Sequence, residues 1–157
     1  MLREFRFVLM LLRVFRNPAI CNKHALIWSL FRLEILILFS NSKNSDKAVC
    51  FPFLSFQIEA PSVTCLKFLI DEIFVETIYE LSVSSKAPLI FDCGGNIGLS
   101  VLYFKYRWPK SRILVFEPDP DNFNYLKKNI ENNKFENLTI YNTALGDSLG
   151  TITLHKG

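Results

Sequence analysis

A glycine-rich segment carries the clearest chemical signal in this sequence. Asp92-Cys93-Gly94-Gly95-Asn96-Ile97-Gly98 directly follows an apolar run and opens a predicted helix. Glycines at such a place permit a tight turn from strand to helix, and they let a ligand approach the backbone closely. Amides at the beginning of a helix also attract a carboxylate or a phosphate. Taken alone, the segment is equally compatible with a simple tight turn.

An acidic residue in the next element sharpens this interpretation. Glu117 ends the following predicted strand, 25 positions after Asp92 (117 − 92). An acid at that place can accept hydrogen bonds from both hydroxyls of a ribose. The alternative is a solvated loop carboxylate, and the glycine segment before Glu117 favours the ribose role.

The spacing of the glycines distinguishes between nucleoside cofactors. When the dinucleotide fingerprint G-x-G-x-x-G is aligned on Gly95 and Gly98, Cys93 occupies its first position, so the fingerprint fails. The sequence contains no phosphate-binding G-x-x-x-x-G-K-[ST] motif either. The pattern Asp92-x-Gly94-x-x-x-Gly98 is instead typical of methyltransferases, in which the loop holds the amino-acid end of the cofactor.

The elements that must position these residues follow from hydrophobic periodicity. An apolar run predicts a buried parallel strand before the glycine segment, and alternating helices and strands follow it. Asp119 can cap the second helix, with Pro120 at its first position. This βαβαβ order predicts a parallel sheet with right-handed crossovers. The predicted elements are strand Leu89–Phe91, helix Ile97–Tyr106, strand Arg112–Phe116, the helix after Asp119, strand Leu138–Tyr141 and strand Thr151–Leu154.

The preceding half of the chain has a less regular pattern. Residues 1–39 predict two helices broken around Asn17-Pro18, because proline interrupts a helix. The polar stretch Ser40–Lys47 is a candidate linker. Beyond it we predict strands Val49–Ile58 and Val63–Ile70 with a turn at Pro61, then a helix Asp71–Leu81.

Three runs of residues together resemble a known family. FDCGGNIGLS, VFEPDPDNFNYLKKNIENN and NLTIYNTALGD resemble the FkbM-type methyltransferases, which have a D-x-G-A-N-x-G loop, E-P-x-P-x-N, K-x-N and an A-L-x-D turn. Gly95 stands where that family usually has alanine. The resemblance covers roughly Asp71–Gly157, whereas residues 1–48 match nothing recognisable.

The resemblance implies a Rossmann-like α/β fold of the class I methyltransferase type, preceded by a helical N-terminal segment. It also implies transfer of a methyl group from S-adenosylmethionine to a hydroxyl of a sugar, another glycan or a secondary metabolite. The implied cofactor residues are Asp92, Gly94, Gly95, Asn96 and Gly98 around the methionine part, Glu117 at the ribose, Pro118 and Asp119 beside the adenine, and Thr143 and Ala144 under its ring.

Several residues receive no catalytic role. Thr143 and Ala144 are equally compatible with plain loop packing. No general base is recognisable, since the two histidines, His24 and His155, fall in no motif. We expect no metal site, because the four cysteines form no C-x-x-C pair. We interpret them as buried thiols in a reducing compartment, the cytoplasm, with Cys93 a small packing residue.

Length and charge limit the remaining possibilities. The 157 residues suit one domain, half of them are hydrophobic, and the net charge is +3. Residues 1–40 hold six Lys/Arg against two Glu, whereas the remainder holds twelve against thirteen acidic residues. This basic segment predicts a solvated helix face or peripheral membrane contact through residues 1–39. No basic and aromatic pattern favours nucleic-acid binding.

We therefore expect a helical segment and linker over residues 1–48 and the N-terminal portion of a methyltransferase domain over residues 49–157. The family's next strand carries a D-V-E-G-like motif that is missing here, so we expect a fragment with an incomplete parallel sheet, or a sheet completed by another chain. The alternatives are a non-catalytic remnant that still binds a nucleoside cofactor, an NAD-dependent enzyme, which Cys93 disfavours, and a membrane-surface protein. The sequence leaves the oligomeric state open.

Overall fold

A computed structural model describes residues 2–18, 20, 22–40, 47–148 and 150–151, with side chains within the first helix from Phe7 onward. The chain divides into two compact units, Met1–Leu81 and Ser82–Gly157. The predicted division after residue 48 falls inside the first unit, and the extent of the functional domain stays a prediction. None of the described helices is both long enough and apolar enough to cross a membrane.

The first unit begins with the two predicted helices, α1 (Leu2–Arg16) and α2 (Lys23–Phe39). The side chain of Asn22 begins α2 by accepting a hydrogen bond from the amide of Ala25 at 3.1 Å. The predicted linker lies almost entirely outside the described residues.

An antiparallel hairpin follows, and here the prediction was wrong. Strands β1 (Val49–Phe53) and β2 (Phe56–Ala60) pair from Val49↔Ala60 to Phe53↔Phe56, so the turn is at Leu54-Ser55 and not at Pro61. Every second residue faces the core, which is the alternation expected of a sheet with one covered face. The hydroxyl of Ser29 accepts a hydrogen bond from the amide of Leu54 at 3.0 Å and so ties the turn to α2.

The segment predicted as a second strand is a helix, α3 (Val63–Ile70). Ser62 caps it by accepting a hydrogen bond from the amide of Cys65 at 3.0 Å. A single π-helical turn, Asp71–Val75, continues it, so the predicted helix Asp71–Leu81 is wrong beyond Val75. The core of the unit packs the Phe53 ring edge-on against Phe74, with 4.8 Å between centroids.

The second unit has the predicted parallel sheet. Its elements are β3 (Leu89–Cys93), α4 (Leu99–Arg107), β4 (Arg112–Phe116), α5 (Pro120–Asn132) and β5 (Leu138–Tyr141), and the strand order is β3-β4-β5. The bounds of β4 and β5 confirm the prediction, as does the cap of α5 by Asp119. The predicted strand Thr151–Leu154 lies outside the described residues apart from Thr151, which is not in a strand.

A buried amide anchors α5 beneath the glycine segment. Asn129, which is fully buried, donates a hydrogen bond from its side chain to the carbonyl of Ile97 at 2.8 Å. It is the asparagine of the K-x-N pattern, so that pattern has a structural role here. The packing of Leu126 against the same segment places α5 directly beside the glycines.

This anchor yields a stability prediction. Asn129→Leu leaves the Ile97 carbonyl without its donor in the core, so we expect a loss of about 1–3 kcal/mol of unfolding free energy. Urea denaturation measures it, with Asn124→Leu on the exposed side of α5 as the matched control, for which we expect a change within about 0.5 kcal/mol. Equal effects of the two substitutions would contradict the anchoring role.

Candidate functional site

Three strand ends meet at one edge of the second unit's sheet. The parallel register aligns Cys93 with Phe116, and Phe116 with Tyr141. The residues that follow each strand are therefore neighbours in space, as is usual for ligand sites of parallel sheets. The amides of Gly94 and Gly95 both donate to the carbonyl of Phe116, at 2.8 and 3.1 Å. The glycine segment is thus attached to the end of β4.

The Glu117 carboxylate is the centre of this edge. The residue is 5 % exposed. Its Oε2 accepts a hydrogen bond from the amide of Asn96 at 2.7 Å, and its Oε1 accepts one from the amide of Asp119 at 2.8 Å. The Glu117 backbone is also held, since its amide donates to the Tyr141 carbonyl at 3.0 Å and the Asn142 side chain donates to its carbonyl at 2.8 Å. The orientation of the carboxylate is therefore fixed before any ligand binds.

The carboxylate retains hydrogen-bonding capacity. A carboxylate offers about four acceptor positions on its two oxygens. Each oxygen of Glu117 accepts one backbone amide, so each can accept one further donor. Two adjacent hydroxyl groups, such as those of a ribose, match this pair of acceptors.

The first glycine of the segment borders open space. Gly94 has φ +116, and no atom lies within 4 Å of the position that a Cβ would take. This left-handed backbone favours glycine. A ligand can therefore approach the main chain at Gly94 without displacing a side chain.

The other end of the segment is closely packed. Gly98 has φ +93, and a Cβ there would lie 2.9 Å from Leu126 Cδ1. Asn96 takes φ +46, a left-handed conformation that asparagine tolerates better than most residues, and its Oδ1 accepts a hydrogen bond from the Ile97 amide at 2.7 Å. Asn96 thus turns its own amide toward Glu117.

Gly95 shows why this chain departs from the resembled family's alanine. A Cβ on Gly95 would lie 2.3 Å from Cγ1 of Val115, a fully buried residue of β4. Valine has few favourable χ1 rotamers, so this methyl group has little freedom to move away. Val115 therefore fills the space that an alanine methyl group would need.

Asp92 contributes a buried hydrogen bond. It is 6 % exposed, and its Oδ2 accepts a hydrogen bond from the Ser100 hydroxyl on α4 at 2.6 Å. Burial raises the pKa of the Asp92 carboxyl above its ordinary value, the Ser100 hydrogen bond partly opposes this, and the charge of Glu117 adds to it. Asp92 thereby joins the end of β3 to α4.

The remaining predicted cofactor residues follow Glu117 at the end of β4 or follow β5. Pro118 is half-buried, and Asp119 uses its side chain to cap α5, accepting from the amides of Asp121 and Asn122 at 2.8 and 3.1 Å. Thr143 is exposed and donates from its hydroxyl to the Ala144 carbonyl at 3.3 Å. The roles of these residues toward a cofactor stay predictions.

Sequence reasoning missed two residues of the site, Ser100 and Asn142. Both lie within runs that resemble the FkbM-type family, but outside the motif positions named for it. Ser100 was hidden within an apolar helix, and Asn142 was recognisable only as the residue that directly follows β5. Their partners became visible only when the strand ends were brought together.

The cysteine interpretation needs correction. Cys50 and Cys93 are exposed free thiols and Cys65 is half-buried, so the prediction of buried thiols was wrong for the first two, and Cys93 is not a packing residue. Cys21 and His155 lie outside the described residues, whereas His24 is exposed. Among the residues that the structure describes, no three His, Cys, Asp or Glu side chains cluster as metal ligands would.

Comparison with known proteins gives two related sequences. The chain is 33 % identical over 89 residues to Methyltransferase 1 of Beauveria bassiana and 35 % identical over 89 residues to Methyltransferase sdnD of Sordaria araneosa. The alignments cover 57 % and 56 % of this chain but only 36 % and 34 % of those proteins. The chain is related to methyltransferases. No protein-family model matches it.

One solved structure has a similar fold. P. horikoshii TYW2, solved in complex with MeSAdo, is similar with a TM-score of 0.50 and 18 % identity, covering 85 % of this chain and 53 % of that one. At this identity the likeness concerns the fold alone. It agrees with the Rossmann-like α/β fold that the sequence predicted.

The packing of Gly95 leads to a prediction about the site's construction. Gly95→Ala forces a methyl group into Val115, so we expect a loss of about 1–3 kcal/mol of unfolding free energy. In a Val115→Ala background the same substitution should cost clearly less, because the conflicting methyl group is gone. A double-mutant cycle by urea denaturation measures this coupling. Additive effects would contradict it.

The raised pKa of Asp92 leads to a pH prediction. A folded-state pKa above the unfolded one stabilises the fold at low pH, and this contribution is lost as pH rises through the folded-state pKa. Asp92→Asn keeps an acceptor for Ser100 but cannot ionise. Its stability relative to the wild type should therefore increase as pH rises from below the ordinary aspartate pKa to neutrality. Denaturation across this range tests it, with the exposed Asp147→Asn as control; a relative stability that falls with pH would contradict it.

Proposed function

We propose that this protein is an S-adenosylmethionine-dependent methyltransferase or part of one. The observation that carries the proposal is the preoriented Glu117 carboxylate, which has an acceptor position left on each oxygen beside the open backbone of Gly94. The relationship to two fungal methyltransferases supports the same chemistry. The chain spans only about a third of their length, so the activity of the whole protein is a proposal.

The residues of the edge fit the parts of this cofactor. Glu117 would accept the two ribose hydroxyls, and the open main chain at Gly94 would receive the methionine part. Asn96 and Gly98 would maintain the conformation of the loop. Asp92 would hold the start of the loop to α4 through its hydrogen bond with Ser100. Pro118, Asp119, Thr143 and Ala144 would border the adenine, as the resemblance implies.

The bound cofactor would supply an electrophilic methyl group on a sulfonium. The protein's part in such a displacement is chiefly to align the acceptor with the carbon–sulfur bond and to exclude water. Fixing the ribose at Glu117 contributes to this alignment, because it determines where the rest of the cofactor lies.

The finer assignment follows the sequence resemblance. We propose an FkbM-type enzyme that methylates a hydroxyl of a sugar, another glycan or a small metabolite, since those motifs recur at the described positions of Asp92–Gly98 and Glu117–Asp119. We also propose a cytoplasmic location, because the three described cysteines are free thiols, as is usual in a reducing compartment.

Titration calorimetry with S-adenosylhomocysteine tests the cofactor site. We expect micromolar binding to the full chain, weakened on the order of tenfold to a hundredfold by Glu117→Gln, because charge-assisted hydrogen bonds to the ribose are lost. Glu131→Gln, which alters an exposed carboxylate of α5, is the matched control. Circular dichroism must show that each variant is folded.

The outcomes separate the competing hypotheses. No binding by the folded chain, or binding that Glu117→Gln leaves unchanged, would refute the proposed site. Competition by NAD would favour a dinucleotide enzyme instead.

A non-catalytic binding remnant is the second candidate. Strand β3 pairs only with β4 among the described strands, and Leu89 and Phe91 on it are 54 % and 61 % exposed. An apolar strand of a parallel sheet is usually covered on both faces. This exposure favours a chain that lacks part of a catalytic domain. Cofactor binding without methyl transfer to a panel of sugar and metabolite hydroxyls would support the remnant, and turnover would exclude it.

A further inference from the structure

One side of α2 carries a row of apolar side chains that are exposed to solvent. The surface, called here the α2 face, consists of residues at positions i, i+3, i+7, i+10 and i+11, which a helix brings to the same side. Trp28 is 62 % exposed and Phe39 is 82 % exposed. The α2 face comprises Trp28, Phe31, Ile35, Leu38 and Phe39.

The opposite side of the same helix is already in use. Leu26, Ser29, Leu30 and Leu33 are buried in the core of the first unit. The helix therefore lies along the surface of that unit with one side free. A partner of the α2 face would therefore contact α2 along its length, with the helix axis parallel to the partner's surface.

The charged side chains described on α1 and α2 are mostly cationic. The described side chains of α1 and α2 include four basic groups, Arg13, Arg16, Lys23 and Arg32, against one carboxylate, Glu34. The Glu34 side chain is only 16 % exposed and lies 3.6 Å from the Lys67 ammonium. Arg13 is already paired with the Glu76 carboxylate. Arg32, in contrast, borders the α2 face one turn after Trp28, so a partner meets this positive charge beside the apolar residues.

The basic groups lie close to the aromatic ones. Arg32 follows Trp28, which is exposed, by one helical turn, and its guanidinium carbon also lies 5.8 Å from the ring centroid of the buried Phe51. Lys23 donates to the Phe15 carbonyl at 2.6 Å and lies 5.8 Å from that ring, which is itself exposed. Long basic side chains beside exposed aromatics are typical of surfaces at a lipid interface.

We propose that the α2 face binds the surface of an anionic membrane, with its apolar residues inserted among the acyl chains and the neighbouring basic groups at the lipid headgroups. Tryptophan is favoured at this depth because one end of its ring is apolar and the other donates a hydrogen bond. Pairing of the α2 face with that of a second copy is disfavoured, because a twofold interface centred on this face would bring the Arg32 side chains of both copies near each other, while the one carboxylate of α2, Glu34, is mostly buried.

Vesicle binding by the full chain tests this proposal. We expect co-sedimentation with phosphatidylcholine vesicles that contain phosphatidylglycerol, weaker binding to phosphatidylcholine alone, and binding that partly survives high salt. In a Trp108→Phe background, Trp28 is the single tryptophan, so its emission should shift to the blue on binding and be quenched by brominated lipid.

Two substitutions separate apolar insertion from charge attraction. Trp28→Ser with Phe31→Ser should reduce vesicle binding at least about tenfold, because apolar insertion carries part of the affinity. Leu145→Ser, which removes a similarly exposed apolar side chain from the second unit, is the matched control. Arg32→Glu should weaken binding to the anionic vesicles specifically, whereas Lys110→Glu should not.

Three results would overturn the proposal. One is no binding to anionic vesicles by the folded chain, and another is binding that high salt abolishes and that the double substitution leaves unchanged. The third is a sedimentation-velocity dimer that the double substitution dissociates, which would identify a second copy as the occupant of the α2 face.

Discussion

The second unit depends on satisfying one buried carboxylate at the end of a parallel strand. Glu117 is almost excluded from solvent, and an unpaired carboxylate there would be costly. Two backbone amides meet this need, one from the glycine segment and one from the beginning of α5. The loop must therefore curl back over β4, which is why Asn96 adopts a left-handed conformation. The same two bonds that stabilise the carboxylate also determine its orientation.

The glycines around it serve different purposes, although they form one motif. Gly94 borders open space, whereas Gly95 and Gly98 allow side chains of β4 and α5 to pack closely against the loop. Val115, Leu126 and Asn129 pack against the loop and so limit the conformations that its glycines would otherwise allow. A motif read as ligand-binding is therefore partly a packing motif, and substitutions in it must be tested for stability and binding separately.

The accuracy of prediction from sequence differs between the two units for a physical reason. In the second unit each short apolar run is bounded by a distinct signal, such as Asp119-Pro120 before α5, so β4, α5 and β5 were located correctly. In the first unit, Val63–Ile70 is apolar at nearly every position and has no period, so the strand assignment was wrong. The Ser62 cap was the available sign of a helix. The partners of Asp92 and the exposure of Cys93 depend on tertiary contacts, which no local pattern contains.

A buried lysine shows how such contacts support the site from a distance. Lys105 on α4 is 5 % exposed and donates to the carbonyls of Ser111 and Glu136, each at 2.7 Å. These carbonyls precede β4 and β5, so the lysine joins the starts of both strands. Burial lowers the Lys105 pKa, while the nearby Glu136 charge opposes that shift. Fixing the strand starts fixes their ends, because the parallel register runs unbroken between them. The position of Glu117 therefore depends on a side chain at the opposite edge of the sheet, which is why a site defined by its loop motif alone is incompletely described.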